Sequence, residues 1–175
     1  MNKEQLKRIF EFLKDKEQQN PPFKWKLLNN IPLTEEELNV KGDLNLFNLQ
    51  LTSLPEGLKV GGTLNLSGSK ITSLPKGLKV GGYLNLRFCR ELTLLPEGLK
   101  VGDALFLTKT NITSLPKNLK VGGTLYLTDT IITSLPKGLK VGNSLFIGDT
   151  PLEKYTDDEL REMVKPGFIK GKIKR

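Results

Sequence analysis

The segment Gly57-Leu58-Lys59-Val60-Gly61-Gly62 has the glycine spacing of a phosphate-cradling loop, and near-copies of it recur along the chain. Such a loop reads Gly, four residues, then Gly-Lys-Ser/Thr at the opening of a helix. Here Thr63 stands where the lysine is required, and no strand–loop–helix pattern surrounds it. The glycines therefore read as tight turns. There is no histidine and a single cysteine, Cys89. That composition removes most metal sites, every histidine-based triad and any internal disulfide. Catalysis would have to run on Asp, Glu, Lys, Ser, Thr or Tyr, and no cluster of these stands out. The expectation is a non-enzymatic protein with no catalytic residues, no metal and no cofactor.

Two other residue sets recur at fixed spacing. One is the lysine row Lys59, Lys79, Lys100, Lys120 and Lys140. The other reads Asn45, Asn65, Asn85, Phe106, Tyr126, Phe146, changing from amide to aromatic halfway. What positions them is an internal repeat, which must be sought before anything else. Val40, Val60, Val80, Val101, Val121 and Val141 are spaced 20, 20, 21, 20 and 20 residues apart. Leu-Pro pairs keep the same beat at Leu54, Leu74, Leu95, Leu115 and Leu135, whereas Thr34-Glu35 takes that place in an atypical first unit.

In the unit Val60–Lys79, the apolar positions Val60, Leu64, Leu66, Ile71, Leu74 and Leu78 recur in essentially every copy. One unit cannot bury six such side chains on itself, but stacked units can. Strict alternation from Thr63 to Ser67 predicts a strand with Leu64 and Leu66 inward, and stacking makes the strands a parallel sheet. The residue before the leucine of each Leu-Lys-Val (Gly57, Gly77, Gly98, Asn118, Gly138) is glycine or asparagine, the signature of a left-handed corner. Gly42, Gly62, Gly82, Asp103, Gly123 and Asn143 predict a second left-handed corner by the same logic. Proline after each Ile-x-x-Leu predicts a back that is extended rather than strand-paired.

The pattern Leu125-Tyr126-Leu127 through Thr130, Ile132, Leu135, Pro136 and Leu139 resembles the leucine-rich repeat family, in the short Leu-Pro form of about 20 residues found in bacterial and bacteriophage proteins. The resemblance covers residues 38–155. It implies an α/β solenoid, a right-handed stack with one parallel β-sheet of about six strands and helical caps at both ends. Where the family carries asparagine this chain has Leu49, Ser69, Cys89, Thr110, Thr130 and Thr150, and Val-Gly-Gly precedes the strand. A right-handed β-helix with similar coils is the alternative. The family implies protein–protein recognition, most often through the strand face. It also brings a phage-encoded modulator of a host protein into view.

The ends read as caps. Asn2 with Gln5 predicts a capping box ahead of a helix with Leu6, Ile9, Phe10 and Leu13 on one face. Phe23, Trp25 and Leu27 alternate, as suits a short edge strand or a cover. Thr34 with Glu37, and Thr156 with Glu159, predict two more capping boxes. The organisation is thus an N-terminal helical cap over 1–37, a solenoid over 38–155, and a C-terminal helix with a basic tail over 156–175. Net charge is +8. Residues 165–175 hold five of the cations and no carboxylate. No apolar run is long enough for a membrane span and the start lacks a signal-peptide pattern, so the cytoplasm, or a host cytoplasm, is the expected compartment.

Function is then expected at outward positions. Aromatics anchor interfaces, and Tyr83, Arg87, Phe88, Phe106, Lys109, Tyr126 and Phe146 form the candidate partner-binding patch, with Asp129 at its edge. The unit holding Arg87, Phe88, Arg90 and Glu91 carries the one extra residue, and insertions in repeat proteins often fall at the binding face. The expected partner is a protein. The alternative is a nucleic-acid or ribonucleoprotein binder using Lys59, Lys79, Lys100, Lys120 and Lys140 with Lys170, Lys172, Lys174 and Arg175 as an anion-binding set. Lysine at this density also serves simply to blunt exposed β surface. Cys89, on the ladder with Ser69 and Thr110, reads as a small buried side chain.

Overall fold

A computed structural model describes residues 4, 5, 7–9 and 21–175. The chain is a β-solenoid. Helix α1 (Phe23–Leu28) is followed by twelve two-residue strands. They alternate between a Lys-Val type, β3 (Lys59–Val60), β5 (Lys79–Val80), β7 (Lys100–Val101), β9 (Lys120–Val121) and β11 (Lys140–Val141), and a Leu-x type, β4 (Leu64–Asn65), β6 (Leu84–Asn85), β8 (Leu105–Phe106), β10 (Leu125–Tyr126) and β12 (Leu145–Phe146). β1 (Asn39–Val40) and β2 (Leu44–Asn45) open the series. A 3-10 turn (Pro151–Lys154), helix α2 (Asp157–Met163), β13 (Phe168–Ile169) and β14 (Ile173–Lys174) close it.

There are two parallel sheets of seven strands, where the sequence led us to expect one of about six. The odd-numbered strands form the first and the even-numbered strands the second. The extra sheet is the Leu-Lys-Val segment. A strand only two residues long shows no alternation that a sequence pattern can detect, yet stacking pairs it in register, Lys59 to Lys79 to Lys100 to Lys120 to Lys140. In both sheets the inward residue is apolar. Val60, Val80, Val101, Val121 and Val141 line one side of the core, and Leu64, Leu84, Leu105, Leu125 and Leu145 the other. Ile71, Leu92, Ile112, Ile132 and Leu152 fill the core from the back of the coil, all with no exposed surface. Each such burial contributes roughly 1.5–3 kcal/mol.

The two glycine columns have different causes. Gly57, Gly77, Gly98, Asn118 and Gly138 do adopt left-handed backbone, with φ from 57° to 79°. The expected second left-handed column at Gly62, Gly82 and their equivalents does not. The left-handed corner lies elsewhere, at Asn48, Gly68, Phe88, Lys109, Asp129 and Asp149. The first glycine after each valine is needed instead for close approach between coils, whereas the second position also takes Asp103 and Asn143. A Cβ on Gly81, Gly102, Gly122 or Gly142 would lie 1.9–2.1 Å from the carbonyl oxygen of the glycine one coil earlier. The extra residue of the third unit is absorbed at Arg90–Glu91. Leu84 still pairs with Leu105, and Asn111 Nδ2 donates to the Arg90 carbonyl at 2.7 Å.

The buried ladder inside the second turn is polar but satisfied. Thr110, Thr130 and Thr150 donate to the carbonyls of Leu107, Leu127 and Ile147 at 2.6–2.7 Å. Cys89 donates to the Leu66 carbonyl at 3.1 Å and lies 3.6 Å from Ser69 Oγ. Burial pushes the Cys89 thiol above its ordinary 9.0. The folded state therefore holds this proton to higher pH than the unfolded chain. That contribution is complete below the unfolded value and fades as pH rises through the thiol range. Cys89→Ser should remove the alkaline part of the stability profile while preserving the fold, since Ser69 occupies the same site. Melting temperatures between about pH 8 and pH 10 check this: the difference between the two proteins must change with pH.

The ends differ from expectation in two places. Phe23–Leu28 is a helix, not a strand, because Phe23 and Leu27 are four apart and meet the core on one helical face. Lys26, buried in that helix, pairs with Glu37 at 2.7 Å. Thr34 and Glu37 form the reciprocal bonds of a capping box, but around a turn rather than a helix. The capping box at Asn2 and the residues Leu6, Phe10 and Leu13 lie outside the described residues, whereas Ile9 is buried. The Thr156–Glu159 box caps α2 as expected, and its hydrogen bonds from Thr156 hold the Glu159 carboxyl below its usual range.

The basic tail is a seventh coil. Phe168 pairs with Lys140, Ile169 with Val141, Ile173 with Leu145 and Lys174 with Phe146. In the first sheet each coil donates its N–H groups back to the preceding one, as in Gly142 to Val121. The last coil therefore presents free carbonyls. The Arg161 guanidinium, on α2, donates to two of them, those of Ile169 and Gly171. Leu160 and Val164 are fully buried in the core beside it. Helix α2 thus closes the end of the stack and occupies acceptors that an eighth coil would use.

Candidate functional site

Outward residues of the second sheet line up by strand register: Asn45, Asn65, Asn85, Phe106, Tyr126, Phe146 and Lys174. The asparagines have a local structural use. Asn45, Asn65 and Asn85 accept from the N–H groups of Phe47, Ser67 and Arg87 at 3.1–3.2 Å, fixing the turn that follows each strand. The aromatics use one another. Phe106 and Tyr126 stack with centroids 4.5 Å apart, Tyr126 and Phe146 at 4.6 Å, and Tyr83 meets Phe106 edge-on at 6.1 Å. Arg87 lies over the Phe106 ring at 4.1 Å, and Lys174 over Phe146 at 4.9 Å.

This geometry limits what the row can do. The inner ring faces are covered by neighbouring rings, and cations lie over the two outer rings. What faces solvent is a strip of ring edges, flanked by Tyr83, which is 46% exposed. Such a strip suits an apolar protein surface and does not suit stacking of free planar ligands.

Phe88 and Lys109 stand apart from the row, on the turn beyond the strands. They occupy the left-handed column, with φ of 61° and 58°, where the other coils have Asn, Gly or Asp. A bulky side chain there costs about 1–2 kcal/mol. Phe88 recovers only part of that through burial, being 48% exposed. Its ring has the Lys109 ammonium at 5.9 Å, a weak contact at an exposed site. Asp129, next in the column, has an ordinary left-handed residue type.

The anion-binding set does not stay together. Lys59, Lys79, Lys100, Lys120 and Lys140 form one row on the first sheet, and none has a carboxylate within ion-pair distance among the described residues. Lys170 extends that face. Lys174 instead ends the aromatic row, and Arg175 bonds Asp157 at 2.8 Å and the Tyr155 carbonyl. Sequence reasoning missed Phe168, which takes the place of lysine at the end of the row and is 39% exposed. The signal was present: Phe168-Ile-Lys-Gly-Lys-Ile keeps the spacing of Lys140-Val-Gly-Asn-Ser-Leu. Phe47, 58% exposed on the turn after β2, was also missed.

Other concavities hold little chemistry. A cleft of about 240 Å³ between the N-terminal cap and the first full coil is lined by Lys26, Leu27, Ile31, Pro32, Leu54 and Pro55. Among the described residues, no group of three His, Cys, Asp or Glu is placed to hold a metal ion, and no helix is long and apolar enough to cross a membrane.

Fold and face together define a β-solenoid presenting two different outward ladders. No protein-family profile, curated protein or solved structure matches the chain.

Proposed function

We propose that this protein is a non-enzymatic binding module that recognises a partner protein through the second sheet and the turn beside it. The observation that carries the reading is Phe88. It is a large aromatic held in left-handed backbone, half exposed, next to Arg87 in sequence and at the far end of the strand from Tyr83, in the one coil that departs from the repeat. Residues in sparsely populated conformations cluster at functional sites, and the inference runs from the outlier to the role. Tyr83, Arg87 and Phe88 form the contact centre. The stacked Phe106, Tyr126 and Phe146 supply a rigid apolar strip, and Lys109 a charged rim. Aromatic and arginine anchors of this kind carry most of an interface's free energy.

The test is capture of partner from cell extract by the intact protein and by a Tyr83→Ser/Phe88→Ser double variant, both shown folded by thermal melting. The double variant should retain no more than about a tenth of the captured partner, as expected for loss of two anchors worth over 1 kcal/mol each. Equal capture by the two proteins contradicts the proposal.

A further inference from the structure

We propose that the C-terminal half of the first sheet binds single-stranded nucleic acid, at a site separate from the protein-binding face. The charge distribution along the solenoid is the first observation. Both columns flanking the lysine row contain carboxylates in the earlier coils, Glu56 and Glu97 on one side, Asp43 and Asp103 on the other. From Pro116 to Tyr126, Pro136 to Phe146 and Lys165 to Arg175 there is none, so three consecutive coils lack them, whereas earlier only the single coil from Pro75 to Asn85 does. Lys117, Lys120, Lys137, Lys140 and Lys170 therefore surround a face without a competing anion, while Lys165 is held by Glu162 at its margin.

The second observation is the groove itself. Lys120, Lys140 and Lys170 enclose a shallow depression of about 250 Å³ with Phe168, Val121, Gly122 and Gly142. Its floor at Gly122 and Gly142 is bare backbone, because coil-to-coil approach excludes a Cβ there. The Lys140 and Lys170 ammonium groups lie 5.9 Å and 5.5 Å from the Phe168 centroid. A flat apolar floor beside one aromatic ring, rimmed by unpaired cations, fits a base with its phosphates on either side. An acidic peptide would use the lysines but would gain nothing from the ring or the floor. In-register lysines repeat about every 4.8 Å, so a backbone of regularly spaced phosphates can meet several of them at once.

The experiment is fluorescence anisotropy of the full chain with a labelled twelve-nucleotide oligothymidylate, repeated with polyglutamate as competitor. About four phosphate contacts predict a slope near −3 in log affinity against log salt, so affinity should fall roughly fiftyfold between about 50 and 200 mM salt. Lys120→Gln/Lys140→Gln/Lys170→Gln should flatten that slope by about 2. Phe168→Leu should weaken binding about tenfold at every salt concentration with the slope unchanged. Phe88→Asn should bind the oligonucleotide like the wild type. No binding at low salt, equal competition by polyglutamate with no effect of Phe168→Leu, or loss of binding in Phe88→Asn would each overturn the assignment.

Discussion

Gly122→Ala is expected to be among the most damaging single-methyl changes in this chain. The new Cβ would sit 2.0 Å from the Gly102 carbonyl oxygen and 2.9 Å from its carbon, both backbone atoms that cannot rotate away. Relief requires separating two coils, and with them the hydrogen bonds Gly122 to Val101 and Gly123 to Asp103. Overpacking costs typically 1–3 kcal/mol where side chains can yield, and here the yielding atoms are backbone, so about 3 kcal/mol is a lower expectation. Gly77→Asn provides the contrast. Gly77 has φ of 70° and nothing within 4 Å of its Cβ position, and Asn118 holds the equivalent place. That substitution should cost well under about 1 kcal/mol, since asparagine tolerates the left-handed region. Thermal or urea unfolding of the two variants separates close approach from backbone conformation as the reason for glycine. Equal effects would refute the distinction.

The second large effect is Leu105→Ala. Leu105 has no exposed surface and pairs with Leu84 and Leu125 in the middle of the second sheet. Coils above and below fix their own backbones through the sheet ladders, so the cavity cannot collapse easily. A loss in the upper part of the roughly 2–5 kcal/mol range for such truncations is expected. Leu54→Ala, buried but lining the cleft at the N-terminal end of the stack, leaves a gap already open on one side and should lie nearer the bottom of the same range. Urea unfolding checks the order of the two.

Much of the fold was legible in the sequence, and the misses share a cause. The valine spacing gave the coil length, the alternation Thr63–Ser67 gave the second sheet, and Gly/Asn at 57, 77, 98, 118 and 138 gave one corner with its correct conformation. The second residue after each valine reads as left-handed, yet it is the first, always glycine from the second coil on, that is constrained, because glycine reads the same whether φ or a neighbouring coil demands it. Only coil-to-coil distance distinguishes them. The first sheet escaped notice because two residues cannot show a period. Residues 165–175 looked like a tail because composition there is dominated by charge, although the apolar spacing of Ile169 and Ile173 continues the repeat.

The candidate site was legible in part. Register aligned Phe106, Tyr126 and Phe146 as expected, but their mutual stacking gives them a structural use that sequence position alone could not reveal. Phe88 became the sharper residue once its backbone was known. Leucine, valine and glycine positions recur because each coil needs them for stacking. On the proposed reading, specificity comes from positions where a coil departs from the pattern without a gain in packing.

That claim is tested most directly by Phe88→Asn, with thermal melting and partner capture measured on the same preparation. Asparagine relieves a left-handed strain of about 1–2 kcal/mol and forgoes a weak cation–π contact and the covered half of the ring, worth about 1 kcal/mol, so the variant should be more stable by up to about 1 kcal/mol. Capture of the partner should fall at least about fivefold, as for loss of an anchor worth 1 kcal/mol or more. Opposite movement of the two readouts is the predicted result. A variant that melts lower, or one that captures its partner as well as the wild type, would contradict the account.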